Sequence, residues 1–221
     1  MNQKTIFITI ALILLLAFGM ATLIYRNHQA SLQDSSMGQT RELAERRGAP
    51  VKGPSDAKVT IVEFFDPACE TCRDFYPFLK QLMDRHPGKV NVMMRFAPLH
   101  TGSDQVVKML EAARLQDKFW PALEILFNNQ DQWIVGHTSQ PMRALNILYS
   151  LDIDQQKLAS DMNSPAVASI IQQDVQDAEA LGVRATPEFF VNGRPMPSFG
   201  YQQLGQLAVS YTHLTLPTTS P

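Results

Sequence analysis

The sequence predicts a mixed α/β domain that carries an inserted helical block and is preceded by one N-terminal transmembrane helix. Three observations favour this fold class: an uncharged apolar run near the N-terminus, a strand–helix–strand pattern after it, and a long helical stretch that ends in a β-hairpin signal. The 221 residues, 45% of them hydrophobic, suffice for a short appendage and one domain of about 150 residues with a buried core.

The N-terminal run from Thr5 to Tyr25, TIFITIALILLLAFGMATLIY, carries no charge. At about 1.5 Å per residue, a helix of this length crosses the ~30 Å hydrocarbon core of a bilayer. A cleaved signal peptide is the alternative, with Gly19-Met20-Ala21 as a small-residue cleavage site. Because the apolar run continues past that site, we expect residues 1–25 to be an uncleaved anchor.

A polar stretch from Arg26 to Ser55 follows the apolar run. It contains several residues that interrupt regular structure, namely Gly38, Gly48, Pro50, Gly53 and Pro54. We therefore expect residues 26–55 to form a tether, with a short helix across Thr40–Arg47.

The folded domain, residues 56–208, is predicted to open with a βαβ unit. Lys58–Asp66 is an apolar run rich in β-formers, a helix is expected over Cys69–Arg85, and Val90–Pro98 is a second strand. A strand–helix–strand unit of this spacing implies parallel strands joined by a right-handed crossover.

A helical block over about residues 103–181 comes next, followed by a hairpin. Apolar spacing predicts four or five helices, at about Ser103–Leu115, Lys118–Asn128, Pro141–Leu151, Asp154–Met162 and Pro165–Leu181. Asn192-Gly193 then separates the strand Glu188–Asn192 from a short partner around Arg194–Pro197, and Asn-Gly is a strong hairpin signal.

The C-terminal residues 209–221 are predicted to be a non-native tail. The string Val209–Thr219, VSYTHLTLPTT, fits no periodicity and resembles a translated sequencing adapter. It follows the beginning of an apparent helix, YQQLGQLA. A frayed natural tail is the alternative, but we expect a non-native tail that cuts the native terminal helix short there.

Composition excludes two classes of protein. The net charge of -2 gives no electrostatic reason to expect a nucleic acid partner. Only two cysteines occur, and a disulfide-rich scaffold needs more pairs at wider spacing.

The two cysteines, Cys69 and Cys72, lie at the predicted junction of strand and helix. Backbone N–H groups at a helix N-terminus favour a thiolate at the first cysteine, while the second lies one turn further in. This pattern predicts thiol–disulfide exchange through a redox-active Cys69–Cys72 disulfide, with no other cofactor and no metal. A zinc half-site lacks further paired ligands, and a purely structural disulfide would close a loop too short to constrain the unfolded chain much.

These residues resemble a known family. The stretches VEFFDPACETCRDFYPFL and ATPEFFVNG are similar to the DsbA-like branch of the thioredoxin superfamily, over roughly Pro54 to Leu207. The resemblance implies a thioredoxin-like fold with an inserted helical domain. It also implies that Cys69 is the nucleophile, that Cys72 is the resolving cysteine, and that Pro77 kinks the active-site helix.

The resemblance implies three further site residues. Pro187 matches a cis-proline that faces the active site, and a cis Thr186-Pro187 bond would present backbone to an extended client strand. A trans proline at a strand edge is the alternative. Glu63 matches a buried acid with a raised pKa that exchanges a proton with Cys72, and its alternative role is a structural ion pair with Arg95.

The sequence departs from the family between the cysteines. The best-known oxidant of this branch has Pro-His there, whereas this chain has Glu70-Thr71. A negative charge at Glu70 is expected to raise the pKa of Cys69 relative to the Pro-His type and to make the couple less oxidising. His100 and His137 receive no predicted role.

The predicted function is therefore that of a protein-disulfide oxidoreductase acting outside the cytoplasm. The expected location is the bacterial inner membrane, with one span over residues 5–25 and the catalytic domain in the periplasm, because disulfides persist in oxidising compartments. Its partners would be protein clients with thiols or disulfides and a membrane redox partner. A copper(I)-binding periplasmic protein that uses the same two thiolates is the alternative, and a chaperone-like groove with a vestigial site is a third option.

Overall fold

The computed structural model describes residues 2–213, apart from the side chains of residues 4–6, 8–11, 30–34 and 213. The chain divides into two compact units, Met1–Thr40 and Arg41–Pro221. The elements in chain order are α1 (Gln3–Ala44), β1 (Val51–Lys52), β2 (Val59–Phe65), α2 (Glu70–Arg85), β3 (Val90–Phe96), α3 (Ser103–Arg114), α4 (Phe119–Asn128), α5 (Gln130–Trp133), β4 (Ile134–Val135), β5 (Thr138–Ser139), α6 (Pro141–Leu148), α7 (Gln155–Met162), α8 (Pro165–Ala180), β6 (Glu188–Val191), β7 (Arg194–Pro195) and α9 (Tyr201–His213).

The first unit consists of helix α1, whose last residues belong to the second unit. Its large apolar side chains from Leu12 to Tyr25 are exposed. Residues 26–44, most of the predicted tether, are helical, so the helix begins far before the Thr40 start that the sequence predicts. This stretch contains no proline and a single glycine, Gly38, and one glycine destabilises a helix too little to end it.

Membrane crossing is a separate question for this helix. Over the part of the chain that the structure describes, no helix combines the length and the hydropathy needed to span a bilayer. The predicted span Thr5–Tyr25 falls partly on residues 5, 6 and 8–11, whose side chains lie outside that description.

The second unit is built on a five-stranded sheet with the order β1-β3-β2-β6-β7. Strand β2 pairs in parallel with β3, from Val59 opposite Val90 to Phe65 opposite Phe96, which confirms the predicted βαβ unit. Every residue of β2 is buried, because it is the central strand and both faces of the sheet are covered.

The two faces of β2 belong to different apolar clusters. Ile61 and Phe65 lie in the larger cluster, together with Cys72 and most of the helical block. Val62 and Phe64 lie in the smaller cluster on the other face. Since side chains alternate along a strand, Glu63 points to the same face as Ile61 and Phe65.

An edge strand was missing from the sequence prediction. Val51 and Lys52 form β1, antiparallel to β3, and the backbone N–H of Met94 donates to the carbonyl of Pro50 at 2.9 Å. The surrounding Pro and Gly residues indicated a tether. However, a two-residue edge strand obtains its stability from the neighbouring strand rather than from its own sequence.

The Asn192-Gly193 turn that joins β6 to β7 confirms the predicted hairpin. Both residues have positive φ, 50° and 80°, as a two-residue hairpin turn requires. The Asn192 side chain accepts the N–H of Thr60 at 2.8 Å and donates to the carbonyl of Lys58 at 3.0 Å. A Cβ on Gly193 would lie 2.5 Å from the Cβ of Arg41, so glycine is required there.

Helices α3, α4, α6, α7 and α8 lie where apolar spacing predicts them. The sequence prediction missed α5 and the β4–β5 hairpin, which are too short to show a period.

The terminal helix α9 is longer than predicted. It continues through residues 209–213, which the sequence prediction assigned to a non-native tail after a helix that is cut short. Leu204, Ala208 and Tyr211 recur at helical spacing and pack on the core, and this period was overlooked. Residues 214–221 of the predicted tail lie outside the described residues, and the non-native origin of residues 209–221 stays a prediction.

Candidate active site

The two cysteines lie where β2 leads into α2. Cys69 is the N-cap residue of α2, with extended backbone (φ -76°, ψ 118°), and Cys72 lies in the first helical turn. The N–H of Cys69 donates to the carbonyl of Asp66 at 3.0 Å, which closes the turn between strand and helix. Both cysteines are free thiols.

The Cys69 sulfur acts as the cap of α2. Its Sγ accepts the backbone N–H of Cys72 at 3.3 Å, and its thiol donates to the carbonyl of Thr186 at 3.2 Å. The pKa of Cys69 is lowered to about 6, first by a hydrogen bond with the Cys72 thiol and then by the Thr186 side chain, the Cys72 N–H and the charge of His100, while burial opposes this. At neutral pH the thiolate therefore predominates at this sulfur.

Cys72 differs from Cys69 in both its exposure and its pKa. It is fully buried, whereas Cys69 is 5% exposed and opens into a pocket. Burial, the hydrogen bond with Cys69 and the charge of Glu63 together raise the pKa of Cys72 well above its ordinary value. One sulfur of the pair is thus a reachable thiolate and the other an enclosed thiol.

The pocket beside Cys69 has a volume of about 390 Å³. Its walls include Glu70 and Thr71 from the start of α2, His100 after β3, His137 between β4 and β5, and Arg184 and Thr186 before β6. Glu70 and Thr71 are exposed, so both lie at its rim. The predicted site residues Cys69, Glu70, Thr71 and Thr186 therefore share one pocket.

The Thr186-Pro187 peptide bond is cis, as the resemblance implies, and not the trans bond of the alternative interpretation. Pro187 is buried and Thr186 is half-buried, directly before β6. The contact between the Cys69 thiol and the Thr186 carbonyl places this backbone against the Cys69 sulfur.

Glu63 lies beneath the cysteines, in the middle of β2, and is fully buried. Among the residues that the structure describes, no donor forms a hydrogen bond with either of its carboxyl oxygens. Burial, and next the charge of Cys69, raise the pKa of this carboxyl well above its ordinary value. Burial thus disfavours the charged form of Glu63, and this carboxyl lies close enough to Cys72 to raise the pKa of that thiol.

The alternative role for Glu63, an ion pair with Arg95, is wrong. In the parallel register Phe64 lies opposite Arg95, and Glu63 lies opposite Met94, so the two charged side chains point to opposite faces of the sheet. Arg95 instead pairs with Asp174 at 2.7 Å and with Asp177 at 2.6 Å.

Sequence reasoning missed Asp66 and His100. Asp66 is fully buried, and its Oδ2 lies 2.9 Å from His100 Nδ1. The same carboxylate accepts four further hydrogen bonds, from the N–H groups of Ala68, Leu99 and His100 and from the Ser103 hydroxyl. The available signal was an acidic residue directly after a buried strand and three residues before the first cysteine.

Gln130 is a further residue that sequence reasoning missed, and it supports the turn. Its buried amide donates to the carbonyl of Pro67 at 2.9 Å and to that of Cys69 at 3.1 Å. Helix α5 of the helical block therefore supports the backbone around the nucleophile.

The fold and the sequence are similar to those of known proteins. A thioredoxin family model matches residues 45–207. A thioredoxin-like oxidoreductase from Silicibacter pomeroyi DSS-3 is 32% identical, with a TM-score of 0.66 over 76% of this chain and 94% of that one. The α-DsbA1 structure from Wolbachia pipientis, 17% identical, has the same fold, with a TM-score of 0.67 over 78% of this chain and 95% of that one.

A curated relative is much longer than this chain. The Na(+)/H(+) antiporter NhaA of Herminiimonas arsenicoxydans is 31% identical over 144 residues, which are 65% of this chain and 22% of the antiporter. The chain thus spans less than a quarter of the length of that relative, and the transport named there is that protein's activity.

The expected thioredoxin-like, DsbA-type fold is confirmed by these similarities, and the site has the cysteine pair that protein-disulfide oxidoreductases use. Since the family match covers most of the chain, from the end of α1 into α9, the chain belongs to the thioredoxin family.

Proposed function

We propose that this chain is a thiol-disulfide oxidoreductase that exchanges electrons with the cysteines of protein clients through Cys69 and Cys72. The observation that carries the proposal is the difference between the two sulfurs. Cys69 has a pKa of about 6 and opens into a pocket, while Cys72 is enclosed and its pKa is raised. Exchange needs one attacking thiolate and one waiting thiol at the same site.

In the oxidising direction, a client thiolate attacks Cys69 Sγ of the Cys69–Cys72 disulfide. A bond forms between the client sulfur and Cys69, the Cys69–Cys72 bond breaks, and its electron pair leaves on Cys72. A second client thiolate then attacks the first client sulfur, and Cys69 leaves as a thiolate. The client gains a disulfide and the pair takes up two electrons; the reverse sequence reduces a client.

Glu63 is proposed to serve the enclosed sulfur. Cys72 leaves as a thiolate in a site that strongly disfavours charge, and Glu63 is the neighbouring acid that can give it a proton. When the disulfide forms again, the Glu63 carboxylate takes that proton back. This role suits the surroundings of Glu63, since no donor among the described residues forms a hydrogen bond with its carboxyl oxygens.

The client is proposed to bind as an extended strand beside Cys69. The Thr186 carbonyl already contacts the nucleophile, and backbone at this position can pair with the backbone of a client. Glu70 and Thr71 at the rim would then contact the client residues that flank its cysteine.

The proposed location is the bacterial inner membrane, with one span over residues 5–25, the catalytic domain in the periplasm and a membrane redox partner that resets the pair. Two arguments support this: the uncharged run from Thr5 to Tyr25, and the oxidising compartment that a client disulfide requires. Membrane fractionation followed by protease treatment of spheroplasts tests it. Recovery of the chain in the soluble fraction, or protection from the protease, would contradict it.

The activity is tested with the full chain in two assays, oxidation of a reduced client peptide and reduction of insulin. We expect turnover by the wild type, no turnover by Cys69→Ser, and a trapped mixed disulfide with the client in Cys72→Ser. Stoichiometric binding of copper(I) without turnover in either assay would instead support the metal-binding alternative.

A further inference from the structure

The loop between β3 and α3 brings a histidine to the nucleophile without placing it in the CxxC motif. His100 lies 31 residues after Cys69 in the chain and shares its pocket. In the sequence, Glu70 and Thr71 occupy the two positions between the cysteines, where the Pro-His type carries its histidine. A second source of positive charge is therefore available from a different loop.

Asp66 fixes the orientation of this histidine. Its carboxylate is fully buried and lies 2.9 Å from His100 Nδ1, so Nδ1 carries a proton and donates it. The backbone N–H of His100 donates to the same oxygen at 2.8 Å. With Nδ1 engaged, Nε2 is the nitrogen left to accept a proton.

In the described part of the chain, no other charged or titratable side chain in the lining of this pocket is held by a buried carboxylate as His100 is. The other titratable or charged side chains in its lining are Glu70, His137 and Arg184, all of them exposed. Glu70 is negative, while His137 and Arg184 have no ion pair with the residues that the structure describes. His100 is 30% exposed in its side chain and is the one held by a buried carboxylate.

We propose that His100, oriented by Asp66, is a positioning residue for thiol–disulfide exchange that stabilises the Cys69 thiolate from outside the CxxC motif. In the step in which Cys69 leaves the client, the electron pair of the broken S–S bond remains on Cys69 Sγ, and a positive charge on His100 opposes the charge of that sulfur. The charge of His100 is also among the causes that lower the pKa of Cys69. This inference rests on the proposed function, which it deepens.

The test compares variants of the full chain by the pH dependence of Cys69 alkylation in the reduced protein. His100→Asn keeps a donor at the position of Nδ1 for Asp66 but removes Nε2 and the charge. His100→Lys restores a positive charge without the imidazole. His86→Gln, at the far end of α2, is the matched control for loss of a histidine.

We expect the alkylation midpoint of about 6 to rise by about one pH unit in His100→Asn, to stay within a few tenths in His100→Lys, and not to move in His86→Gln. A rise of one unit also shifts the exchange equilibrium with glutathione by about tenfold, or about 30 mV, toward a less oxidising couple. An unchanged midpoint in His100→Asn would overturn the proposal. So would an equal rise in His100→Lys, because the histidine would then act through the loop and not through its charge.

The alkylation assay needs no client. If the wild type does not turn over a client but His100→Asn still raises the alkylation midpoint, the proposed function is contradicted and the electrostatic role of His100 is supported. Turnover with no midpoint shift would contradict only the role of His100.

Discussion

Glu63 and Arg95 lie on neighbouring strands, are both fully buried, and face opposite sides of the sheet. On the Arg95 face, every charge has a partner. Asp174 accepts Arg46 Nε at 2.6 Å, Arg95 Nε at 2.7 Å and the N–H of Phe96 at 2.9 Å. On the Glu63 face, the carboxyl lies among apolar side chains and the cysteines, and no residue that the structure describes forms a hydrogen bond with it.

The difference separates structural charge from functional charge. The Arg95 face also caps the end of α1, since Arg95 Nη1 donates to the carbonyls of Leu43 and Ala44 at 2.9 and 2.7 Å. A buried ion that is fully paired holds chain segments together and has no reason to change its protonation. A buried acid without partners costs stability and changes protonation easily, which is what proton transfer to Cys72 requires.

The largest effect is expected on the paired face. Asp174→Asn removes the one carboxylate that pairs with Arg46 and one of the two that pair with Arg95, and leaves the buried Arg46 guanidinium without its counter-ion. We expect the free energy of unfolding to fall by about 3–5 kcal/mol. Urea unfolding of the full chain, followed by circular dichroism, measures this.

Asp161→Asn is the matched control for Asp174→Asn. Asp161 pairs with Lys157 within α7, at the surface, and an exposed pair of this kind contributes less than about 1 kcal/mol. Equal losses in the two variants would mean that burial does not distinguish these ion pairs, and the comparison of the two faces would fail.

The second effect has the opposite sign. Glu63→Leu removes a buried polar group that has no hydrogen-bond partner among the described residues. We therefore expect the free energy of unfolding to rise by about 1–3 kcal/mol, while exchange through Cys72 slows. Because the pKa of Glu63 is raised in the folded state, that state holds its proton more tightly than the unfolded chain. The wild type therefore loses stability as pH rises above the carboxyl's unfolded pKa and toward its folded pKa.

Unfolding at several pH values tests the sign of this effect. The gain of Glu63→Leu over the wild type should be smallest below the unfolded pKa of the carboxyl and should grow across that window. Glu70→Leu, which removes an exposed glutamate on the other side of the cysteines, should show no such growth. A loss of stability in Glu63→Leu at neutral pH would mean that the carboxyl has a stabilising partner.

The comparison also shows which features could be predicted from the sequence. Strands β2 and β3, helix α2 and the Asn192-Gly193 hairpin have local signals: apolar runs, helical periodicity and a turn that needs positive φ. Strand β1 and helix α5 have none, because two to four residues show no period and depend on neighbours for their hydrogen bonds.

In the candidate site, too, some residues have a local sequence signal and others are brought together only by the fold. Cys69 and Cys72 are found by motif and spacing, and Pro187 is found through the family resemblance. The separation of Glu63 from Arg95 depends on the register of β2 against β3, since a shift of one residue would bring Arg95 to the face of Glu63. Asp66 and His100 are 34 residues apart and meet only because β2 and β3 end at the same edge of the sheet. No local pattern records that contact.

The smallest effect concerns a third environment, an acid in solvent. Glu70 lies at the rim of the pocket, exposed, and its charge is screened by water before it reaches Cys69. Glu70→His replaces that negative charge by a group that can become positive. We expect the pKa of Cys69 to fall from about 6 by roughly half a pH unit, less than buried charges cause.

Thiolate absorbance as a function of pH measures this shift in the reduced full chain. Glu42→His, at an exposed glutamate of α1 outside the pocket, is the control and should leave the titration unchanged. An unchanged or raised pKa of Cys69 in Glu70→His would show that the residue at position 70 does not determine the pKa of that cysteine. The low pKa of Cys69 would then come from the other groups around it, Cys72, Thr186 and His100, and the departure from Pro-His at this motif would be of no consequence to its acidity.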